Sequence, residues 1–76
     1  MSIEEAILLD TLRCRLNFLR TKNEYTKKRV ADQLNISLET YETYEEGDAL
    51  PDILELIDII DFYDVTLDYL VGRTES

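Results

Sequence analysis

Residues 26–47 read Thr-Lys-Lys-Arg-Val-Ala-Asp-Gln-Leu-Asn-Ile-Ser-Leu-Glu-Thr-Tyr-Glu-Thr-Tyr-Glu-Glu-Gly, and this stretch decides the fold. Thr26 and Ser37 carry hydroxyl groups that suit the first, capping position of a helix. Asn35 tolerates the left-handed backbone of a tight turn, and Gly47 suits the left-handed residue that ends a helix. Between these signals, apolar residues recur at helical spacing: Val30, Ala31 and Leu34. The stretch therefore predicts two short helices joined by a tight turn.

A longer helix is predicted before this stretch, from about residue 3 to Lys22, because Ser2-x-x-Glu5 has the form of a capping box. One face of this helix carries a row of leucines: Leu9, Leu12, Leu16 and Leu19. A second apolar series lies near the opposite face: Ile3, Ile7, Cys14 and Phe18. We expect a C-terminal helix with Leu67, Leu70 and Val71 to cover this second series and to bury Cys14 as a small hydrophobe. A partner surface is the alternative.

Two further helices are predicted after residue 47. Pro51 fits the first turn of a fourth helix that runs to about Tyr63. Thr66 caps a brief fifth helix that Gly72 closes, and the polar tail at residues 73–76 is expected to fray. The fourth helix has one broad apolar arc that mostly faces the core: Ile53, Leu56, Ile57, Ile59, Ile60 and Tyr63.

Length and composition limit the chain to one small domain at residues 1–76. Apolar residues make up 45% of it, and 2 Gly and 1 Pro interrupt it, which is typical of compact helices. No stretch reaches the roughly 20 apolar residues that span a bilayer, and the N-terminus is acidic, so we expect a cytoplasmic protein without a membrane partner. Cys14 is the single cysteine and there is no His, so neither a disulfide nor a zinc site is expected.

Catalysis is not expected either. The sequence has no histidine base and no glycine-rich phosphate loop, and the spacing of its carboxylates is that of solvated helix faces. We therefore expect no catalytic residue, no cofactor and no small-molecule substrate.

Charge is distributed unevenly along the chain. The net charge is −9, yet seven of the eight basic residues lie between positions 13 and 29, whereas thirteen acids follow from Asp32 onward. A basic first half and an acidic second half indicate two surfaces with different partners, a head-to-tail attraction between molecules, or two ordinary solvated faces.

The stretch 26–47 resembles the helix-turn-helix of Cro/C1-type (XRE-like) repressors, a family with small phage-type regulators. The family pattern has a small residue in the first of the two helices of the helix-turn-helix and Asn or Gly at the turn. Ser or Thr opens the second of these helices, the recognition helix, and Glu-x-Gly closes it. These positions hold Ala31, Asn35, Ser37 and Glu45-x-Gly47. Leu19-Arg20 and residues 65–72 are similar to the family's first and last helices. The resemblance implies an all-α, five-helix lambda-repressor-like DNA-binding domain, with its helix-turn-helix at about 26–45 and a salt bridge between Arg20 and Glu45.

The resemblance also implies a DNA-binding surface. Thr26 and Lys27 would approach phosphate, with Lys28 beside them, and Ser37 would anchor the recognition helix to the DNA backbone. Three residues would face bases: Leu38, Glu39 and Thr43. Leucine can touch a thymine methyl group and glutamate can accept from cytosine N4.

Two functions remain open at this stage. The first is a transcriptional regulator that binds double-stranded operator DNA as a homodimer, with interface candidates at Leu54, Phe62 and Tyr69. The second is an acidic protein-binding module of the same fold, an anti-repressor or DNA mimic that engages a repressor protein. The family resemblance favours the first function, which we take as the main prediction. The net charge and four acids in the recognition helix (Glu39, Glu42, Glu45 and Glu46) support the second as the alternative. Cations at 27–29 oppose the dipole of their helix and indicate an anionic partner, either phosphate or an acidic protein surface, unless they form an ordinary solvated face.

Overall fold

The computed structural model describes residues 2–74, which form five α-helices without a strand in that range. The expected polar tail at 73–76 therefore falls partly on Glu75 and Ser76, outside the described residues. The helices are α1 (Ile3–Lys22), α2 (Lys27–Gln33), α3 (Leu38–Glu46), α4 (Ile53–Tyr63) and α5 (Leu67–Leu70). This order confirms the predicted all-α class with a helix-turn-helix in its middle. None of these helices is long and apolar enough to cross a membrane.

Each helix starts at a side chain that accepts a backbone N–H three residues along the chain. The distances are 2.9–3.1 Å, and the capping residues are Ser2, Thr26, Ser37, Asp52 and Thr66. Such a cap contributes about 1 kcal/mol to stability. The prediction for Pro51 was wrong: because the Asp52 carboxylate caps α4, Pro51 lies before the helix and not in its first turn.

The two predicted left-handed residues adopt that conformation. Asn35 has φ 59° in the turn between α2 and α3, and Gly47 has φ 77° at the end of α3. Because an added Cβ at Gly47 would lie 3.2 Å from the Arg13 side chain, this position is restricted by its backbone and by α1 together. The turn residues therefore fix where α3 begins and ends.

The core lies between α1, α3 and the elements packed around them. α3 packs against both α1 and α2, and α5 packs against α1 and α4. The core comprises the buried side chains Leu12, Leu16, Leu19, Val30, Ala31, Leu34, Tyr41, Tyr44, Ile59, Tyr69 and Leu70. α3 is therefore held from two sides.

The second apolar face of α1 is exposed, so the prediction that the C-terminal helix covers it was wrong. Ile3, Ile7 and Phe18 expose 80%, 61% and 53% of their surface, and Cys14 is exposed too. The physical reason is the length of α5, which has four residues and directs Tyr69 and Leu70 into the core. It reaches only the flank of α1.

The apolar arc of α4 is also less buried than predicted. Ile59 is fully buried, whereas Leu56, Ile60 and Tyr63 pack at the edge of the core. Ile53 and Ile57 are exposed. Among the described residues, the rest of the core lies on one side of α4 only. Ile53 and Ile57 therefore face solvent.

A buried ion pair joins α1 to the end of α3. Arg20 Nε lies 2.6 Å from Glu45 Oε2, and Arg20 Nη2 donates to Oε1 at 3.1 Å. Asn17 Nδ2 donates to Oε1 at 3.2 Å, and the Tyr41 hydroxyl donates to Oε2. Arg20 Nη1 also donates to the Tyr25 carbonyl at 3.1 Å. The Arg20–Glu45 pair that the family resemblance implies is thus present, with two further donors on the carboxylate.

These donors decide the charge state of Glu45. Burial disfavours the carboxylate, but the hydrogen bonds from Arg20, Tyr41 and Asn17 outweigh burial and hold the pKa of Glu45 below its usual 4.5. Burial, followed by the hydrogen bond to Glu45, raises the pKa of Tyr41 above its usual value. Glu45 therefore stays ionised inside the protein.

Glu45→Gln should lower the free energy of unfolding by about 3 kcal/mol, because it leaves the Arg20 guanidinium mostly buried without its carboxylate. Chemical denaturation measures this loss. The control is Asp32→Asn, which breaks the exposed Lys28–Asp32 pair and should change stability by less than about 0.5 kcal/mol. Equal losses in the two variants would show that the buried pair has no special role.

Acid should remove the contribution of Glu45. Because its pKa is lowered in the folded protein, the stabilisation is present above the ordinary pKa of 4.5 and is lost as the pH falls through the folded-state pKa. Denaturation should be measured from neutral pH down to about pH 3. The difference in the free energy of unfolding between wild type and Glu45→Gln should become smaller once the pH is below the ordinary pKa of glutamate. A gap that stays constant throughout would contradict the assignment.

Candidate nucleic-acid interface

The α2-turn-α3 unit is held together at Ala31. This residue is fully buried, and its carbonyl accepts the Ile36 N–H at 3.0 Å across the turn. Because the side chain of alanine is a single methyl group, α2 and α3 can approach closely there. The turn between them is therefore short and fixed.

The start of α2 presents a cluster of cations. Thr26 caps the helix by accepting the Arg29 N–H at 3.0 Å. Lys27 is half-buried, and Lys28 is exposed with its Nζ 2.6 Å from Asp32 Oδ1. The Arg29 guanidinium lies 4.9 Å from the centre of the Tyr25 ring. Exposed ion pairs of the Lys28–Asp32 kind are weak, so Lys28 can exchange Asp32 for another anion.

The start of α3 presents the residues expected to face bases. Ser37 Oγ accepts the Thr40 N–H at 3.0 Å and donates to Thr40 Oγ1 at 2.9 Å. Leu38 and Glu39 are exposed. Thr43 is half-buried, and its hydroxyl donates to the Thr40 carbonyl at 2.6 Å. The polar proton of Thr43 is thus used within α3, whereas Leu38 and Glu39 project at its surface.

Fewer glutamates are exposed on α3 than its sequence contains. Four glutamates lie on this helix, but Glu45 is buried and compensated by Arg20. Glu46 lies at the C-terminal end, and Glu42 is half-buried. Glu39 is therefore the exposed acid in the first turn of α3.

Comparison with known proteins identifies the family of the chain. A family model described as a helix-turn-helix domain matches residues 14–75. The chain belongs to this helix-turn-helix domain family. The match includes all of α2, the turn and α3, and it confirms the resemblance in the sequence.

Named relatives of this helix-turn-helix domain are regulators. The chain is 40% identical over 48 residues to the cryptic phage CTXphi transcriptional repressor RstR of Vibrio cholerae, covering 63% of the chain and 43% of RstR. It is 38% identical over 61 residues to the HTH-type transcriptional regulator ImmR of Bacillus subtilis, covering 80% and 48%. Identity to the B. subtilis regulator AnsR is 39% over 62 residues, covering 82% and 53%.

The chain spans about half the length of these curated relatives. No solved structure matches it. The family is thus established by sequence, and the arrangement of side chains comes from this structure.

The three predicted interface residues of the helix-turn-helix domain differ in exposure. Leu54 exposes 70% of its surface. Phe62 is half-buried, and its ring centre lies 5.5 Å from that of Tyr25 and 4.8 Å from that of Tyr63. Tyr69 is buried, with the Arg15 guanidinium 4.3 Å from its ring centre. Of the three, Leu54 alone has a largely free surface in the single chain.

Leu54 lies within a larger exposed group on and before α4. We name the four exposed residues the α4 patch: Leu50, Ile53, Leu54 and Ile57. Sequence reasoning placed Ile53 and Ile57 in the core and therefore missed this patch.

Sequence reasoning also missed two members of the ion-pair network of the helix-turn-helix domain, Asn17 and Tyr41. A signal was present, because Asn17 lies three residues before Arg20 and Tyr41 lies four residues before Glu45. Both spacings place side chains on one helix face. Once the pair is assigned, its neighbours at these spacings are the natural additional donors.

Proposed function

We propose that this chain is a small transcriptional regulator that binds operator DNA through α2 and α3. The observation that carries the proposal is the geometry of α3, which is packed against α1 and α2 while Leu38 and Glu39 in its first turn remain exposed. A helix held in this way can enter a major groove about 12 Å wide. The relatives, a phage repressor and two HTH-type regulators, support the same function.

The proposed contacts divide into positioning and reading. Thr26, Lys27 and Lys28 contact phosphate at the start of α2, and Ser37 contacts the DNA backbone at the start of α3. Three residues of α3 face bases: Leu38, Glu39 and Thr43. Because a hydroxyl that accepts at a cap keeps its own proton, Thr26 can donate to a phosphate oxygen without losing the cap.

The net charge of −9 opposes DNA binding at long range, and Glu39 is an exposed acid at the site, but the cations at the start of α2 favour contact with phosphate. The α2 start is cationic, and Arg20 compensates one of the four acids of α3 internally. Binding should therefore depend strongly on salt and on the few cations that contact phosphate.

The alternative, an acidic module that engages a repressor, is not favoured by the names of the relatives.

A regulator that reads DNA would act where the DNA is, which in a bacterial cell is the cytoplasm.

The proposed DNA-binding form is a homodimer that pairs through the α4 patch. Leu50, Ile53, Leu54 and Ile57 are all exposed, and the last three are neighbours at helical spacing, so self-association could bury them together. A twofold dimer matches an operator made of two half-sites.

Replacing Lys27 and Lys28 together by Ala should weaken binding to all duplexes alike and make the dependence of log affinity on log salt shallower by about 2. Fluorescence anisotropy with labelled random and genomic duplexes at roughly 50 and 200 mM salt measures both effects. A matched control removes two cations elsewhere, Lys22→Ala with Arg73→Ala, and should keep the wild-type slope.

Two results would count against the proposal. One is a wild-type chain that fails to bind at micromolar concentration in the lower salt. The other is a control variant that loses as much affinity as the α2 variant, because the effect would then report net charge and no particular site.

Leu54→Asp should weaken self-association at least tenfold, because it places a charge in the proposed interface. Sedimentation equilibrium measures the change. Leu38→Asp, which places the same charge on another exposed leucine, should leave self-association unchanged. The α4 patch is not the dimer interface if both variants associate like the wild type.

A further inference from the structure

The outer face of α1 carries an exposed apolar stripe, which we define as Ile3, Ile7, Cys14 and Phe18. These side chains lie within an arc of about 60° on a helix that turns about 100° per residue. The flanks of the stripe are occupied. On one flank, Asn17 bonds to Glu45 of α3 at 3.2 Å, and on the other, Arg15 lies over Tyr69 of α5. The stripe therefore faces away from the core.

The spacing of the α1 stripe is the same in both chain directions. Its members are separated by four, seven and four residues. When two copies of α1 lie antiparallel, with a twofold axis between Asp10 and Thr11, Ile3 of one copy faces Phe18 of the other. Ile7 then faces Cys14. Each large side chain thus has an apolar partner from the second copy, as a closed twofold contact requires.

The charges beside the stripe also favour a second, antiparallel copy. Glu4 lies near the N-terminus of α1, whereas Arg15 and Lys22 lie toward its C-terminus on the same flank of the stripe. An antiparallel twofold pair places this flank of one copy against the same flank of the other, so the acid of each copy lies beside the cations of the other. The helix dipoles also favour the antiparallel pair, because the positive end of each helix then lies beside the negative end of the other.

Near the proposed axis, the charge is already balanced. Asp10 forms an ion pair with Arg13 of its own chain. Two copies therefore meet there as two neutral pairs and not as two bare carboxylates.

We infer that α1 binds α1 of a second copy of this chain through the α1 stripe, in antiparallel register with Ile7 opposite Cys14. This surface is separate from the α4 patch and goes beyond the proposed DNA binding. Four apolar residues per copy form a small interface beside those of stable dimers, so the contact is weak. Combined with pairing through α4, it links dimers into larger assemblies.

The register predicts which cysteines can form a disulfide. Residues seven apart on a helix are about 10 Å apart along its axis, farther than the Cα distance of a disulfide. In antiparallel register, Cys14 is therefore too far from the second Cys14, and a cysteine at position 7 is too far from its own copy's Cys14. A cysteine at position 7 of one copy and Cys14 of the other lie opposite each other.

The test is disulfide trapping of Ile7→Cys in the chain that keeps Cys14. Under mild oxidation, non-reducing gels should show a covalent dimer that forms at least tenfold faster than in the wild type. Ile7→Cys with Cys14→Ser should be as slow as the wild type. Adding Leu54→Asp to Ile7→Cys should leave trapping fast, because the α1 contact does not use the α4 patch. Adding Phe18→Asp should slow it to the wild-type rate.

A second pair makes the test independent of position 7. Ile3→Cys with Phe18→Cys, in a chain with Cys14→Ser, should give the same covalent dimer. All substituted positions are exposed, so circular dichroism should show unchanged helicity. The inference is overturned if Ile7→Cys forms the covalent dimer no faster than the double variant Ile7→Cys with Cys14→Ser. Trapping of wild type as fast as Ile7→Cys would also overturn it, because that result indicates parallel helices, and so would loss of trapping with Leu54→Asp.

Discussion

The buried ion pair between Arg20 and Glu45 is the interaction on which the arrangement of the helices depends. It joins the last turn of α1 to the last turn of α3, and Arg20 also binds the Tyr25 carbonyl just before α2. One guanidinium thus holds three segments in register. Buried pairs of this kind add little net stability compared with apolar packing, but losing one partner is costly. Its main contribution is therefore to fix how α3 is presented.

The same pair connects stability to the proposed function. A recognition helix with four glutamates would repel phosphate, and the structure buries one of them beside a cation. The cations that remain at the surface of α2 lie in the basic first half of the chain, before the thirteen acids found from Asp32 onward. Charge that is unfavourable in total is therefore distributed so that the α2 start stays cationic.

Local features of the fold could be predicted from sequence, whereas the outer surfaces could not. Caps such as Thr26 and Ser37, and left-handed residues such as Asn35 and Gly47, act through their own neighbours, so their spacing was sufficient. Covering a helix face depends on the length and direction of a distant element. α5 has four residues and leaves the α1 stripe exposed, and Tyr25, from another part of the chain, packs against Phe62. The residues that contact DNA remain a prediction.

Amide chemical-shift mapping by NMR, during titration of this chain with a duplex, is the most direct test of the central claim that α2 and α3 form the DNA-binding surface. At low salt, the largest shifts should fall on residues 26–28 and 37–43, and they should diminish as salt is added. Amides of the α1 stripe and the α4 patch should move less. Shifts spread evenly over the basic residues of α1, or centred on the α4 patch, would show that α2 and α3 are not the DNA-binding surface.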